Sequence, residues 1–180
     1  VPLTIGQPRS IRLVDDVVAG EDRLIGLLTS RDPELEIPEP KDLYPLGTVA
    51  MVHRLFRAPD GTIRLLVQGM ARFRVGEFIQ TEPYLKAHIQ LDPETVEEGL
   101  ETEALARNAR DQFSHIADMI PSIPRELVAS IQAIEDPLQT VYTIANFQRM
   151  DLADAQTLLE INSAAEKLHK LVNILTREIE

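Results

Sequence analysis

Residues 43–75 read LYPLGTVAMVHRLFRAPDGTIRLLVQGMARFRV, and the fold is decided there. Leu46 to Phe56 is a run of strand length whose polarity is interrupted only by His53 and Arg54. Ala58-Pro59-Asp60-Gly61 has turn chemistry, with proline pre-set at the second position and glycine free to adopt positive φ at the fourth. Ile63, Leu65 and Val67 then alternate with Arg64, Leu66 and Gln68, a period of two that predicts a hairpin partner for the first run. Gly69 is expected to end that strand. Phe73 and Val75, alternating with Arg72 and Arg74, are expected to begin another.

Working outward, the flanks follow the same logic. Pro8 suits the first turn of a helix, where a missing N–H costs nothing. Ile11, Val14, Val17 and Val18 make one apolar stripe, with Gly20 as its terminator. Leu24 to Leu28 reads as a short buried strand. The segment 31–42, RDPELEIPEPKD, carries three prolines and alternating charge and reads as a solvated excursion. Downstream, Leu85, Ala87, Ile89 and Leu91 alternate with Lys86, His88 and Gln90 in one more strand. Several antiparallel strands with one polar face predict a curled sheet or a small barrel.

Beyond Pro93 the apolar spacing changes from two to three and four, which predicts helices. An acidic helix is expected from about Pro93, with Glu94, Glu97 and Glu98 in its first turn and Leu100, Ala104, Phe113, Ile116 and Ile120 on its buried face. Leu127, Ile131 and Ile134 mark a second helix. Asp136-Pro137 marks the cap and first turn of a third, with Val141, Ile144 and Ala145 inward. Asp151 with Asp154 resembles a capping pair for a fourth. Ile161, Ala165, Leu168, Val172, Leu175 and Ile179 repeat at four and three residues, the period of a seam on a long helix that is expected to run on past residue 180. The reading is α+β: a β-rich subdomain over 1–92 and a helical bundle over 93–180, ending in a long helix.

Composition narrows the function. The formal net charge of −11 argues against a polyanion as main partner, since phosphate binding needs clustered positive charge. The absence of cysteine excludes disulfides and thiol chemistry. No apolar run has the length of a membrane span. There is no GxxxxGK[ST] loop, GxGxxG, HExxH or GxSxG motif. His53, His88, His115 and His169 are scattered, and surface placement is the simple reading for each. Asp15 and Asp16 are adjacent on a helix and cannot converge on one substrate, so they read as a solvated face. Glu34, Glu36 and Glu39 read as a solvated loop. No catalytic, cofactor-binding or metal-binding residue is assigned. Arg9 and Arg12 on the first helix are the candidates for protein contact.

The run 43–75 also resembles the central β-rich section of the amino-terminal domain of the ATP-dependent Lon protease family. The marks are Leu46-Gly47-Thr48-Val49-Ala50, Pro59-Asp60-Gly61-Thr62 and Leu66-Val67-Gln68-Gly69 followed by Ala71-Arg72. Gly6 with Ser10, Ile134-Glu135-Asp136-Pro137 and Thr157-Leu158-Leu159-Glu160 extend the likeness along the chain. The resemblance implies a PUA-like pseudo-barrel followed by helices. It implies a non-catalytic substrate-recognition and assembly domain of a cytoplasmic, hexameric serine protease that degrades misfolded and tagged proteins. ATP and magnesium would belong to an ATPase module outside these residues. The family's opening strand is not found ahead of Val1, so an open sheet edge is expected. The alternative is a stand-alone binding module of the same β-rich superfamily.

Overall fold

The computed structural model describes residues 1–179 and divides into two compact units, Val1–Pro93 and Glu94–Glu180. The first unit holds five antiparallel strands and one long helix: β1 (Pro2–Ile5), α1 (Pro8–Ala19), β2 (Leu24–Leu27), β3 (Leu46–Arg57), β4 (Ile63–Gln80) and β5 (Lys86–Leu91). The sheet order is β1-β4-β3-β2. β5 also pairs with β4, further along that strand than β1 does.

The hairpin of β3 and β4 closes through the expected turn. The Gly61 N–H donates to the Ala58 carbonyl, the Ala58 N–H donates to the Thr62 carbonyl, and Gly61 sits at φ 89°. Gly69, however, does not end the strand, and β4 runs unbroken for 18 residues. The register explains why. Ala50 faces Gly69 while Val49 faces Ala71, so Met70 is an extra residue absorbed as a bulge. A second bulge on the opposite strand leaves His53 between the pairs Val52–Val67 and Arg54–Leu66. Sequence patterning also assigns no strand ahead of the first helix, yet Pro2–Ile5 pairs with Leu66–Ile63. Four residues are too few for a visible alternation.

The core of this unit packs Val14 of α1 onto Ile25, Ala50, Val52, Ile63, Leu65 and Val67. Ile63, Leu65 and Val67 point inward and Arg64, Leu66 and Gln68 outward, as the period of two requires. Gly47 is needed where β2 meets β3, because a Cβ there would lie 2.2 Å from the Leu27 carbonyl oxygen and 3.1 Å from the Phe73 ring. The strand at 24–28, expected to be buried, is largely not, and the apolar row of β5 is uncovered as well. In β2 only Ile25 is buried, and in β5 Ile89 and Leu91 remain 47% and 60% exposed. Each is bonded to a single neighbour, so neither is enclosed by sheet on both sides.

The second unit comprises α2 (Leu100–Asp118), α3 (Arg125–Gln132), α4 (Pro137–Phe147), α5 (Leu152–Glu160) and α6 (Ala164–Ile179). Its core joins Ala106, Ala109 and Phe113 of α2 to Ile131, Val141, Ile144, Leu158 and Leu168, Leu171 and Leu175 of α6. The acidic residues at 94–98 are not a first helical turn. Thr95 forms a parallel bridge with Ser163, and the helix starts only at Leu100 after Gly99. Glu97 instead accepts from the Ala165 N–H and so caps a different helix, α6. Hydrogen bonds from the Ser163 hydroxyl and that backbone N–H hold its carboxyl below the usual range.

The buried face of α2 matches the expected one only at Phe113 and Ile116. Thr102, Ala106, Ala109, Phe113, Ile116 and Ala117 are buried, whereas Leu100 is 84% exposed and Ala104 and Ile120 are also outside. Asp136 caps α4 by accepting from the Gln139 N–H at 2.9 Å. Asp151 stands at the start of α5 but its side chain makes no capping bond, and Asp154 binds Lys170 and Arg177 rather than serving a cap. The seam of the last helix is displaced too. Leu168 and Leu175 are buried as expected and Val172 packs, partly buried, against the core, but Ile161 lies outside the helix, Ile179 is exposed, and Leu171 and Ile174 are buried instead.

Candidate functional site: an apolar groove beside the first helix

The first unit contains a concave groove of about 640 Å³. Its walls come from α1 (Arg9, Ser10, Leu13, Asp16, Val17), β2 (Leu24, Ile25, Gly26) and β5 (Lys86, Ala87, Ile89), with Phe73, Val75, Phe78 and Ile79 supplied by β4. The sequence places these residues simply. Helix α1 packs Leu13 and Val17 against the core, while the far half of β4 and β5 offers apolar side chains that no layer covers. Ile79 is 56% and Ile89 47% exposed.

The polar groups come from α1, from the segment between β4 and β5, and from Lys86 at the start of β5. Tyr84 is buried, and its hydroxyl donates to the Asp16 carboxylate at 2.6 Å. The Gln80 amide donates to the Tyr84 carbonyl at 2.9 Å, so the segment is tied at both ends of that residue. The Asp16 hydrogen bond, helped by burial, pushes the Tyr84 phenol above its ordinary value, and the Arg12 guanidinium opposes this. The Lys86 ammonium lies 5.9 Å from the Tyr84 ring centroid. Such a groove offers non-polar contact with a few polar groups, the usual make-up of a binding cleft.

Of the two sequence candidates, Arg9 lines the groove, with its guanidinium donating to the Pro38 carbonyl at 2.8 Å. Arg12 is exposed and does not line it, although its charge is felt at Tyr84. Asp16, read as part of a solvated face, is the partner of Tyr84. Tyr84 carried no signal by which sequence reasoning could find it: it follows a proline in a short connection, with no periodicity. The four histidines do not converge. His53 pairs with the Gln68 amide oxygen at 2.7 Å, and neither residue lines the groove. Among the described residues no group of three or more His, Asp or Glu is placed to hold a metal ion, and no helix is long and apolar enough to cross a membrane.

Comparison with known proteins gives these features a family. Lon protease 1 of Herpetosiphon aurantiacus is 43% identical over 99% of this chain, and Lon protease of Dictyoglomus thermophilum 40% identical over all of it. The chain spans 22% of the length of each. In fold it is similar to the N-terminal domain of Mycobacterium avium complex Lon protease, with a TM-score of 0.75 and 21% identity over 98% of this chain and 90% of that one. A Lon N-terminal domain protein from Xanthomonas campestris gives a TM-score of 0.62 and 16% identity over 96% and 88% of the two chains. The description "ATP-dependent protease La (LON) substrate-binding domain" matches residues 1–177, and the chain belongs to that family.

Proposed function

We propose that this substrate-binding domain holds exposed apolar segments of misfolded or tagged proteins, on behalf of a hexameric ATP-dependent serine endopeptidase of the cytoplasm. ATP and magnesium serve an ATPase module that these residues do not contain. The observation that carries the reading is the open apolar groove of the β-rich unit in a chain that belongs to a substrate-binding family. Affinity comes from apolar contact, because surface ion pairs contribute only about 0–1 kcal/mol each. The charge of −11 favours basic clients at long range, while Arg9 and Arg12 offer local partners for client carboxylates. A single open groove supports weak binding, on the order of high micromolar to millimolar, and several such sites on one ring add by avidity.

The test is titration of isotope-labelled chain with an unfolded model protein, using a natively folded protein as control. Shifts clustered at α1, β2 and β5 with the unfolded client alone support the reading. Ile89→Glu places a charge on a half-exposed groove residue and should weaken binding by about tenfold, the loss of roughly 1.4 kcal/mol of apolar contact. Equal binding by wild type and variant removes the groove from recognition. No response to either client removes polypeptide capture from this domain.

A further inference from the structure

The net charge is divided very unevenly. Val1–Pro93 carries eleven Arg and Lys against thirteen Asp and Glu, while residues 94–180 carry seven against sixteen. Within the near-neutral first unit, the outward face of the β3–β4 hairpin is locally basic and apolar. Phe56 pairs with Arg64 and Arg54 with Leu66 across the two strands, so the four side chains make one block. Phe56 is 58% and Leu66 41% exposed, and both arginines are exposed. Arg54 makes no ion pair among the described residues. Arg64 lies near the Asp60 carboxylate, which already accepts from the Thr62 N–H and hydroxyl.

The acidic second unit carries a surface of matching character. Leu100, the first residue of α2, is 84% exposed, and Val96 before it is 44% exposed. Glu103 stands three residues after Leu100 and so shares its helix face, with Glu101 beside it. Neither glutamate has an ion-pair partner among the described residues.

From this complementarity we propose that the Arg54–Phe56–Arg64–Leu66 face of one copy docks the Leu100–Glu101–Glu103 turn of a second copy. Leu100 packs between Phe56 and Leu66, and the two glutamates meet the two arginines. Because the two surfaces differ, each contact joins the hairpin face of one copy to the α2 turn of another. This adds a surface to the assembly role and is independent of polypeptide capture by the groove. Four residues on one side make a patch far below the standard interface of about 800 Å² per partner, so the contact is weak in isolation.

Sedimentation of the 180-residue chain over a concentration series checks it. Self-association should appear at low ionic strength and fade as salt is raised from about 0.02 M to 0.5 M, where the screening length drops from about 20 Å to a few ångströms. Arg54→Glu/Arg64→Glu and Glu101→Lys/Glu103→Lys should each be monomeric alone, with unchanged circular dichroism. An equimolar mixture of the two should associate again, because the unaltered helix turn of the first meets the unaltered sheet face of the second and the two reversed faces also match. Wild type that stays monomeric at low salt, self-association indifferent to both swaps, or a mixture that fails to associate overturns the proposal. None of these outcomes bears on client binding, which the Ile89→Glu titration reads separately.

Discussion

Each unit keeps one cation inside, and the two cations are housed differently. In the β-rich unit the Arg72 side chain is 1% exposed; its Nε donates to the Asp92 carbonyl at 2.7 Å, and its terminal nitrogen lies 3.3 Å from the Asp92 carboxylate. Asp92 itself is 31% exposed and is shared with Arg74, so this pair opens onto water at one end. In the helical unit Lys167 is fully buried. Its Nζ donates to the Leu158 and Leu159 carbonyls at 2.6 and 2.9 Å, lies 3.7 Å from Glu94, and stands 5.2 Å from the Tyr142 ring centroid. Glu94 is only 8% exposed and accepts from the Tyr142 hydroxyl.

Asp92 and Glu94 are two residues apart, and each is fastened to the cation of its own unit. The difference teaches where a charge is costly. A carboxylate that can be rehydrated tolerates the loss of its partner. One sealed under helices does not.

The largest test of that contrast is Lys167→Met. Removing one member of a sealed pair should destabilise the helical unit by about 3–5 kcal/mol in denaturant melts. Adding Glu94→Gln should return a large part of it, since the stranded charge is then gone. Arg72→Met should cost less, about 1.5–3 kcal/mol, the value of hydrogen bonds to a charged group whose partner can turn to water. Equal losses for the two single variants would break the comparison.

Next in size is the apolar core of the helical unit. Leu168 is fully buried, and Leu168→Ala should cost about 2–4 kcal/mol. A loss below about 0.5 kcal/mol in the same melts would mean that α6 faces solvent.

The smallest effects separate two aspartates that look alike in sequence. Asp136→Ala removes a formed cap and should lower stability by about 1 kcal/mol. Asp151→Ala removes no capping bond and should stay within about 0.5 kcal/mol. Helix-end amide exchange at Gln139 reads the first directly. Matching losses at both sites would show that position, and not the bond, sets the effect.

The particular residues show what patterning can carry. Ile63, Leu65 and Val67 were legible as the inward row because the period of a strand is a property of the backbone itself. The turn at 58–61 and the Asp136-Pro137 helix start were legible because each rests on chemistry within four residues. Leu100 and Glu97 were misread for the opposite reason. Patterning can count acidic residues ahead of a helix, but it cannot say that the Glu97 carboxylate reaches the N–H of Ala165, 68 residues away. Of the groove, Arg9 and the apolar residues of β5 were visible as types. Their convergence with Leu13, Phe78 and Tyr84 was not.

What this sequence determined alone was local: which residues alternate, where the chain turns, where helices take over, and the missing motifs and negative charge that turned the reading toward binding. Backbone geometry and side-chain chemistry within one turn or one hairpin suffice for each of these. Tertiary structure decided the rest. It made β4 continuous by absorbing Met70 as a bulge, left Ile89 and Leu91 uncovered, joined Tyr84 to Asp16, and buried an ammonium in the helical unit. Each depends on partners distant in sequence, where burial and hydrogen-bond satisfaction are settled over the whole packed unit and leave no periodic trace along the chain.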